Sequence, residues 1–181
     1  MDHIDHVNLL RGGVAVGGTW ADFGSGTGAF TLALAELIGP SGVLHSIERD
    51  EYAVRQQQRA FHDRFPDRRV HYHVADFTRS IDLPPLNGLV IANALHFYRD
   101  PLPLVQTLLA YLKPDGRFIV IEYNATQGNT AVPYPIAFDH WEKLAATAHL
   151  TQTRLLATRP SRFLKEIYSA VSHRQSGDKH G

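Results

Sequence analysis

The sequence contains no cysteine. A disulfide framework, a thiolate metal site and a cysteine nucleophile are therefore excluded. An excess of one charge sign is also lacking, because 18 Lys and Arg residues are balanced by 18 Asp and Glu residues. Nonspecific binding to nucleic acids or to anionic membranes requires an overall basic field, which a chain of zero formal charge does not have. We therefore expect neither nucleic acid nor a membrane as a partner.

Long apolar runs are missing as well. The longest nearly apolar runs, such as residues 86–95, are too short to span a bilayer. The first residues, MDHID, lack the basic start and the apolar stretch of a signal peptide, so we expect a cytoplasmic protein. Spacing typical of metal ligands is also absent: neither the pair His3 and His6 nor the pair His71 and His73 has a third ligand nearby in the sequence. No metal is expected.

The remaining composition is that of a globular protein. With 181 residues, of which 44% are hydrophobic, the chain is long enough to bury the core of one domain. We therefore treat residues 1–181 as a single domain in which residues 173–181 form a disordered tail. Strands are predicted at residues 19–23, 43–48, 70–75, 86–93 and 117–123, and helices at residues 29–38, 51–64, 101–112 and 138–149.

The last two predicted strands determine the topology. Five β-α steps are followed by strands at residues 153–158 and 163–171, which only residues 159–162 connect. Parallel neighbours need a crossover of about a dozen residues, so one of these strands must be antiparallel to the rest. The sequence predicts an α/β fold: a seven-stranded Rossmann-like sheet, mostly parallel with one antiparallel strand near the C-terminus, and helices on both faces.

A glycine-rich stretch, DFGSGTG at residues 22–28, lies between the first predicted strand and the first long helix. Glycines at this place allow a sharp turn and let a ligand approach the backbone. Glu48 ends the second strand, twenty residues after Gly28. A carboxylate at that position typically accepts hydrogen bonds from a ribose diol. The pattern indicates a cofactor that contains a nucleoside, bound at the carboxyl ends of the strands.

The glycine loop alone does not identify this cofactor. Gly24, Gly26 and Ala29 also satisfy the dinucleotide pattern, so an NAD(P)-dependent oxidoreductase stays an alternative. Three features favour another nucleoside: the additional Gly28, the Asp76-Phe77 pair after the third strand, and the antiparallel strand near the C-terminus.

Four further segments follow the glycine-rich stretch DFGSGTG (residues 22–28) along the chain. They are IER at 47–49, ADF at 75–77, IANALHF at 91–97 and LKPDGRF at 112–118. In this combination, the sequence resembles the class I S-adenosylmethionine-dependent methyltransferases, and in particular those that act on small molecules. The resemblance extends from about residue 8 to residue 171.

The resemblance implies S-adenosylmethionine as the cofactor and assigns a set of residues to its site. These are Asp22, Gly24, Ser25, Gly26, Gly28, Glu48, Arg49, Asp76, Phe77 and Asn93. In this assignment Asp22 lies near the methionine amino group, and Glu48 holds the ribose hydroxyls. Asp76 accepts from the adenine amino group, the Phe77 amide faces a ring nitrogen, and Asn93 lies beneath the methionine portion.

The acceptor side is less defined by the sequence. Methyl transfer from a sulfonium depends largely on positioning, and no catalytic constellation is visible. His96, three residues after Asn93, is the candidate base because an imidazole titrates in the useful range; packing beside the cofactor is the other interpretation. The predicted substrate-binding residues, which border the long loop at residues 124–135, are Tyr123, Asn124, Tyr134 and His140. Simple packing of the loop is the alternative for them.

The sequence thus predicts a methyltransferase that uses S-adenosylmethionine and a small-molecule acceptor. A second hypothesis is a non-catalytic S-adenosylmethionine-binding partner or activator of another enzyme, because cofactor binding and turnover depend on the same glycine loop. The nicotinamide oxidoreductase is the third.

Overall fold

The computed structural model describes residues 1–176. In chain order the elements are α1 (His3–Arg11), β1 (Thr19–Phe23), α2 (Ala29–Ile38), β2 (Val43–Glu48), α3 (Glu51–Arg64), β3 (Arg69–Val74), β4 (Leu86–Ala92), α4 (Leu102–Leu109), β5 (Leu112–Tyr123), α5 (Phe138–Thr147), β6 (Leu150–Pro160) and β7 (Glu166–Arg174). A 3₁₀ turn, Leu95–Phe97, follows β4. In the described part of the chain, no helix has the length and apolar character needed to cross a membrane.

The strands form one sheet in the order β3-β2-β1-β4-β5-β7-β6. The pairs from β3 to β5 are parallel, whereas β7 is antiparallel to both β5 and β6. The predicted antiparallel strand is therefore confirmed, and it is β7. By inserting between β5 and β6, β7 brings the β6–β7 turn to the edge of the sheet where the parallel strands end.

Helices cover both faces of the sheet, as predicted. One core joins α1, α2 and α3 to the sheet through residues such as Leu10, Leu34 and Phe61. The other core joins α4 and α5 to the opposite face through residues such as Leu108 and Trp141. The alternating faces of the strands supply both cores, which is what a sheet buried on both sides requires.

The bounds of β1, α2, β2 and α3 agree with the predicted ones. Local signals account for this agreement: Gly39 follows the last residue of α2, and the Asp50 side chain accepts a hydrogen bond from the Tyr52 amide at the start of α3. The start of α4 differs by one residue, because Pro101 lies at the N-cap position while Asp100 accepts from the Leu102 amide.

Three other expectations were wrong. The count of five β-α steps was one too high, since in the described structure residues 75–85, which include Pro84 and Pro85, connect β3 to β4 without a helix. The predicted turn at residues 113–116 is instead a bulge inside β5, where Asp115 has φ 59°. The predicted tail begins too early, since β7 continues through Arg174; its last residues, 177–181, lie outside the described part of the chain.

Candidate cofactor and acceptor site

The glycine loop follows β1 and has a backbone that only glycine adopts easily. Gly24 has φ 73° and Gly28 has φ 91°, both in the left-handed region. Space is also limited: a Cβ atom on Gly24 would lie 3.0 Å from the Phe77 ring, and one on Gly28 would lie 2.7 Å from Gln57 Cγ. By contrast, a Cβ on Gly26 would meet no atom within 4 Å. The loop therefore packs closely against Phe77 and Gln57, whereas the space beside Gly26 is open.

A buried polar network supports this loop from α3. Gln57 is fully buried, and its Nε2 atom donates to Ser25 Oγ at 2.8 Å and to the Gly26 carbonyl at 2.6 Å. Its Oε1 atom accepts from Ser46 Oγ at 2.7 Å. The hydroxyl of Ser25 is thus engaged inside the protein, although this residue was predicted to contact the cofactor. Sequence reasoning missed Gln57 and Ser46 because nothing in the spacing marks a glutamine on α3 as part of the loop.

Glu48 occupies the predicted place at the end of β2. Its Oε2 atom accepts from the Gly26 amide at 2.8 Å, and its Oε1 atom accepts from the Asp50 amide at 2.9 Å. The carboxylate therefore fixes the distance between the glycine loop and the start of α3. Each oxygen has a second lone pair, so the hydrogen bonds to the backbone do not exhaust its capacity to accept from hydroxyl groups.

Asp22 is a buried carboxyl at the end of β1 and is only 1% exposed. The Thr31 hydroxyl donates to its Oδ2 atom at 2.7 Å. Its Oδ1 atom is buried and has no hydrogen-bond partner in the described structure. Burial raises the pKa of Asp22 to about 7, with the Thr31 hydrogen bond opposing the increase and the nearby charge of Glu48 adding to it. An unpaired buried carboxyl oxygen is costly without a ligand that donates to it.

Asn93 follows β4 and, like Asp22, lines a cleft beside the glycine loop. It has φ 52°, an uncommon backbone conformation for a residue with a side chain, and its Oδ1 atom is also buried without a partner. Asp22, Gly26 and Asn93 line a cleft of about 230 Å³. Met1 and His6 line it too, which the sequence did not indicate, because α1 reaches this cleft only through the tertiary fold.

Asp76 and Phe77 lie after β3, beside the same loop. The side chain and the backbone amide of Thr78 both donate to Asp76 Oδ1, at 2.7 and 3.0 Å. These hydrogen bonds lower the pKa of Asp76, and the charges of Arg79 and Arg49 contribute further. The structure therefore brings Arg49, Asp76 and Phe77 close together, and their contact with a nucleoside stays a prediction.

His96 lies in the 3₁₀ turn after β4 and is 3% exposed. Its Nδ1 atom is 2.9 Å from Oε2 of Glu122, a fully buried carboxylate on β5. Oε1 of Glu122 accepts from the backbone amides of Leu95 and His96. The His96 ring also packs edge-on against Tyr123. Glu122, which sequence reasoning missed, thus orients the imidazole and leaves Nε2 as the nitrogen that could exchange a proton.

A second cleft, of about 640 Å³, adjoins the first. Asn93 and Met1 line both clefts, so the two spaces meet at the end of β4. The walls of the larger cleft are Tyr123, the amino end of α1, and the hairpin tip, which we define as residues 159–163. Only Tyr123 among the predicted substrate-binding residues lines this cleft.

The other predicted substrate-binding residues lie elsewhere. The Asn124 side chain bridges the Glu166 carboxylate and the Phe138 amide, and it borders a neighbouring cleft. Tyr134 and His140 are exposed and line neither the cofactor cleft nor the larger cleft beside it. The loop at residues 124–137 instead packs behind the site, since the Tyr134 amide donates to the His96 carbonyl at 3.0 Å.

Comparisons with known proteins agree with this architecture. A curated relative, the probable cobalt-precorrin-6B C(15)-methyltransferase (decarboxylating) of Thermoplasma volcanium, is 27% identical over 130 residues, which are 71% of this chain and 61% of that protein. The chain therefore spans about three fifths of the length of this curated relative.

Two solved structures share the fold. One is a 1,6-didemethyltoxoflavin-N1-methyltransferase from Burkholderia thailandensis with bound 1,6-didemethyltoxoflavin and S-adenosylhomocysteine. Its TM-score is 0.74 at 17% identity, and the match covers 97% of this chain and 79% of that chain. The other is an S-adenosylmethionine-dependent O-methyltransferase from Thermotoga maritima. Its TM-score is 0.68 at 17% identity, and the match covers 98% of this chain and 66% of that chain. The match to a family of methyltransferase domains extends over residues 16–172, and the chain therefore belongs to that family.

Proposed function

We propose that the protein transfers a methyl group from S-adenosylmethionine to a small-molecule acceptor. The observation that carries this proposal is the pair of unpartnered buried oxygens, Asp22 Oδ1 and Asn93 Oδ1, beside an open glycine loop. Buried polar groups of a folded protein normally have partners, so two free acceptors in one cleft favour a ligand with donor groups. The ammonium of a methionine portion supplies such donors. The residues therefore fit the cofactor.

The chain's own residues divide the binding of this cofactor among them. Asp22 and Asn93 would bind the methionine portion, Glu48 would accept from the ribose hydroxyls, and Asp76 would accept from the adenine amino group. The open space above Gly26 lets a ligand contact the backbone. When bound, the cofactor supplies an activated methyl group on a sulfonium. The protein's contribution is to hold the acceptor in line with that methyl and to exclude water.

The larger cleft is the proposed acceptor site, because it meets the cofactor cleft at Asn93. Its volume of about 640 Å³ is in the usual range for small-molecule sites. The bound ligand of the Burkholderia thailandensis structure, 1,6-didemethyltoxoflavin, supports an acceptor of this size class. Tyr123 borders the acceptor. His96, the candidate base, packs against Tyr123 but lines neither cleft, so it serves as a base only where the acceptor's proton reaches its Nε2 atom. A cytoplasmic location stays a prediction that cell fractionation would test.

Calorimetry with S-adenosylmethionine and S-adenosylhomocysteine tests the cofactor site. We expect both to bind, and we expect Glu48→Gln to weaken binding by about 10-fold or more, because hydrogen bonds to a charged group contribute about 1.5–3 kcal/mol. Glu51→Gln is the matched control, since Glu51 is an exposed carboxylate three residues away whose partner is Arg55.

Three results would redirect the proposal. Absence of binding of both compounds to the wild-type protein would contradict it. Binding without methyl transfer to any member of a broad acceptor panel would favour the non-catalytic partner instead. Binding of NAD or NADP in place of S-adenosylmethionine would favour the oxidoreductase.

A further inference from the structure

The hairpin tip, residues 159–163, gives the larger cleft a specific chemical character. Asp5, Arg159 and Arg162 are the charged side chains among the residues that line this cleft. Two guanidinium groups against one carboxylate leave an excess of positive charge on the wall. The guanidinium group presents a planar set of donors that matches a carboxylate. The wall therefore favours a ligand with a negative group.

Asp5 and Arg159 already form a pair across the cleft entrance. Arg159 Nε donates to Asp5 Oδ1 at 3.0 Å, and Arg159 Nη1 donates to the Thr158 carbonyl at 3.0 Å. The hydrogen bond from Arg159 lowers the pKa of Asp5, so the pair is ionised at neutral pH. Arg162 is exposed on the same tip. Since Asp5 neutralises Arg159, Arg162 is the side-chain cation that lacks a compensating charge among the described residues that line the cleft, and the Met1 α-amino group adds to the positive charge there.

Two aromatic rings form the apolar part of the same cleft. Phe163 is 61% exposed at the hairpin tip, and Tyr123 is 7% exposed at the end of β5. Their ring centroids are 6.3 Å apart at an interplanar angle of 84°. An exposed phenylalanine at the rim of a cleft gains most from a ligand that covers its ring. Rings at right angles offer a face and an edge to a flat ligand.

We propose that the acceptor is an aromatic carboxylate, whose ring contacts Tyr123 and Phe163 and whose carboxylate binds Arg162 beside Arg159. This inference rests on the proposed function, because it assigns the acceptor of the same site. Asn93 borders both clefts, so an acceptor bound in the larger cleft lies next to the cofactor cleft. The hairpin tip thus selects the acceptor by charge and by shape.

The test uses three probes and the full chain loaded with S-adenosylhomocysteine. The probes are 6-hydroxy-2-naphthoate, its neutral amide 6-hydroxy-2-naphthamide, and the non-planar trans-4-hydroxycyclohexanecarboxylate. Binding is followed by naphthyl fluorescence and by ligand-observed NMR. We expect the naphthoate to bind about 10-fold more tightly than the amide, which corresponds to about 1.4 kcal/mol, and more tightly than the cyclohexane compound.

Variants assign the preference to particular side chains. Arg162→Gln should remove the difference between naphthoate and amide, whereas Phe163→Ala should weaken both naphthyl probes to a similar extent. Arg55→Gln, which removes an exposed arginine of α3 outside the cleft, should leave all three affinities unchanged. None of these variants should change the affinity for S-adenosylhomocysteine.

The results separate this inference from the proposed function. Equal binding of naphthoate and amide, an unchanged preference in Arg162→Gln, or no binding of any probe up to its solubility limit would overturn the inference while S-adenosylhomocysteine still binds. Failure of the wild-type protein to bind S-adenosylhomocysteine would overturn the proposed function itself.

Discussion

Two residues of the site, Asp22 and Asn93, lower the stability of the ligand-free protein and are proposed to bind the cofactor. Asp22 is buried with one oxygen unpaired, and Asn93 has a left-handed backbone with its Oδ1 atom unpaired. Each arrangement lowers the stability of the ligand-free protein by on the order of 1–3 kcal/mol. Such features cluster at functional sites, and here both border one cleft. They connect the physics of a residue directly to the proposed cofactor.

The raised pKa of Asp22 predicts a pH-dependent affinity. Because burial raises this pKa to about 7, the carboxylate that attracts an ammonium is present above that pH and is lost as pH falls. Calorimetry should show the affinity for S-adenosylhomocysteine decreasing by about 10-fold or more between about pH 7.5 and about pH 5.5. In Asp22→Asn the affinity should be lower and nearly independent of pH. An equally steep profile in that variant would show that another group titrates.

The same raised pKa predicts an effect on stability. The folded protein binds more protons than the unfolded chain between the ordinary aspartate pKa and about 7, so the ionised carboxyl destabilises the fold at pH 7.5. Asp22→Asn should therefore raise the Tm of the ligand-free protein by about 2–4 °C for each kcal/mol gained. Glu51→Gln, at an exposed position, should leave the Tm unchanged in the same thermal scan.

His96 can be tested apart from its packing. If its Nε2 atom accepts the acceptor's proton, His96→Gln should lower kcat by about 10²–10⁴-fold. It should also leave the Tm and the affinity for S-adenosylhomocysteine unchanged. A packing role gives the reverse pattern: a lower Tm and weaker cofactor binding, with kcat at saturating cofactor and acceptor preserved.

At the scale of elements, α3 determines the conformation of the glycine loop. Gln57 connects this helix to Ser25, to the Gly26 carbonyl and to Ser46 on β2. Gln57→Ala removes these three hydrogen bonds, leaves the Gly26 carbonyl without its side-chain donor and opens a cavity, while Ser25 Oγ and Ser46 Oγ stay hydrogen-bonded to each other at 2.8 Å. We expect a loss of unfolding free energy on the order of 3 kcal/mol and weaker binding of S-adenosylhomocysteine. Denaturant unfolding and calorimetry would measure the two effects.

The next residue of α3 provides the control for that prediction. Gln58 has the same side chain but is exposed, so Gln58→Ala should change the unfolding free energy by less than about 0.5 kcal/mol. If the two alanine variants behave alike, the network beneath the loop does not support the cofactor site.

The bounds of the helices and strands show which parts of the fold could be predicted from local sequence signals. Strand β2 and helices α2 and α3 were predicted to the residue because their ends depend on neighbours in sequence, such as Asp50 and Gly39. Strand β6 was predicted too short, since its pairing with β7 is interrupted by shifts of register. Such shifts depend on the partner strand, and no local pattern encodes them.

The two parts of the site also differ in how far the sequence alone could predict them. The predicted cofactor residues lie at the ends of β1 and β2 and on the loops that directly follow β1, β2, β3 and β4, so a motif and its spacing locate them. The larger cleft depends on contacts between distant parts of the chain, as the pair Asp5 and Arg159 illustrates. The loop at residues 124–135 was predicted to shape this cleft because it is long and follows β5. The inserted β7 instead places the hairpin tip there.

At the scale of the whole molecule, the edge strand β3 is sparsely covered. This edge strand has no following helix, and its residues are largely exposed or partly buried. On one sheet face, His45 of β2 lies between His71 and His73 of β3, with ring centroids 4.9 and 5.3 Å away. His45 Nδ1 and His73 Nε2 are 3.0 Å apart and form a hydrogen bond whose donor depends on the tautomers of the two rings. Across residues 1–176, no three His, Asp or Glu side chains are arranged to hold a metal ion.

This cluster contributes one part of the protein's response to acid. Burial, together with the neighbouring His71 and His73, lowers the pKa of His45 to about 4, and burial lowers the pKa of His73. At these two histidines the unfolded chain therefore binds more protons than the folded one below about pH 6.5. The stability that they contribute above that pH is lost as pH falls toward about 4, and this loss opposes the gain from protonation of Asp22 in the same range.

Urea unfolding between about pH 7 and about pH 4.5 isolates this loss as the difference between the wild-type protein and His45→Gln. His45→Gln retains a hydrogen-bonding side chain beside His73 but cannot be protonated, so its unfolding free energy should rise relative to that of the wild-type protein as pH falls over this interval. His62→Gln, which replaces an exposed histidine of α3, should follow the wild-type curve. Parallel curves for His45→Gln and the wild-type protein would mean that the acid sensitivity originates in other groups, because linkage requires the slope to change when a titrating group is removed.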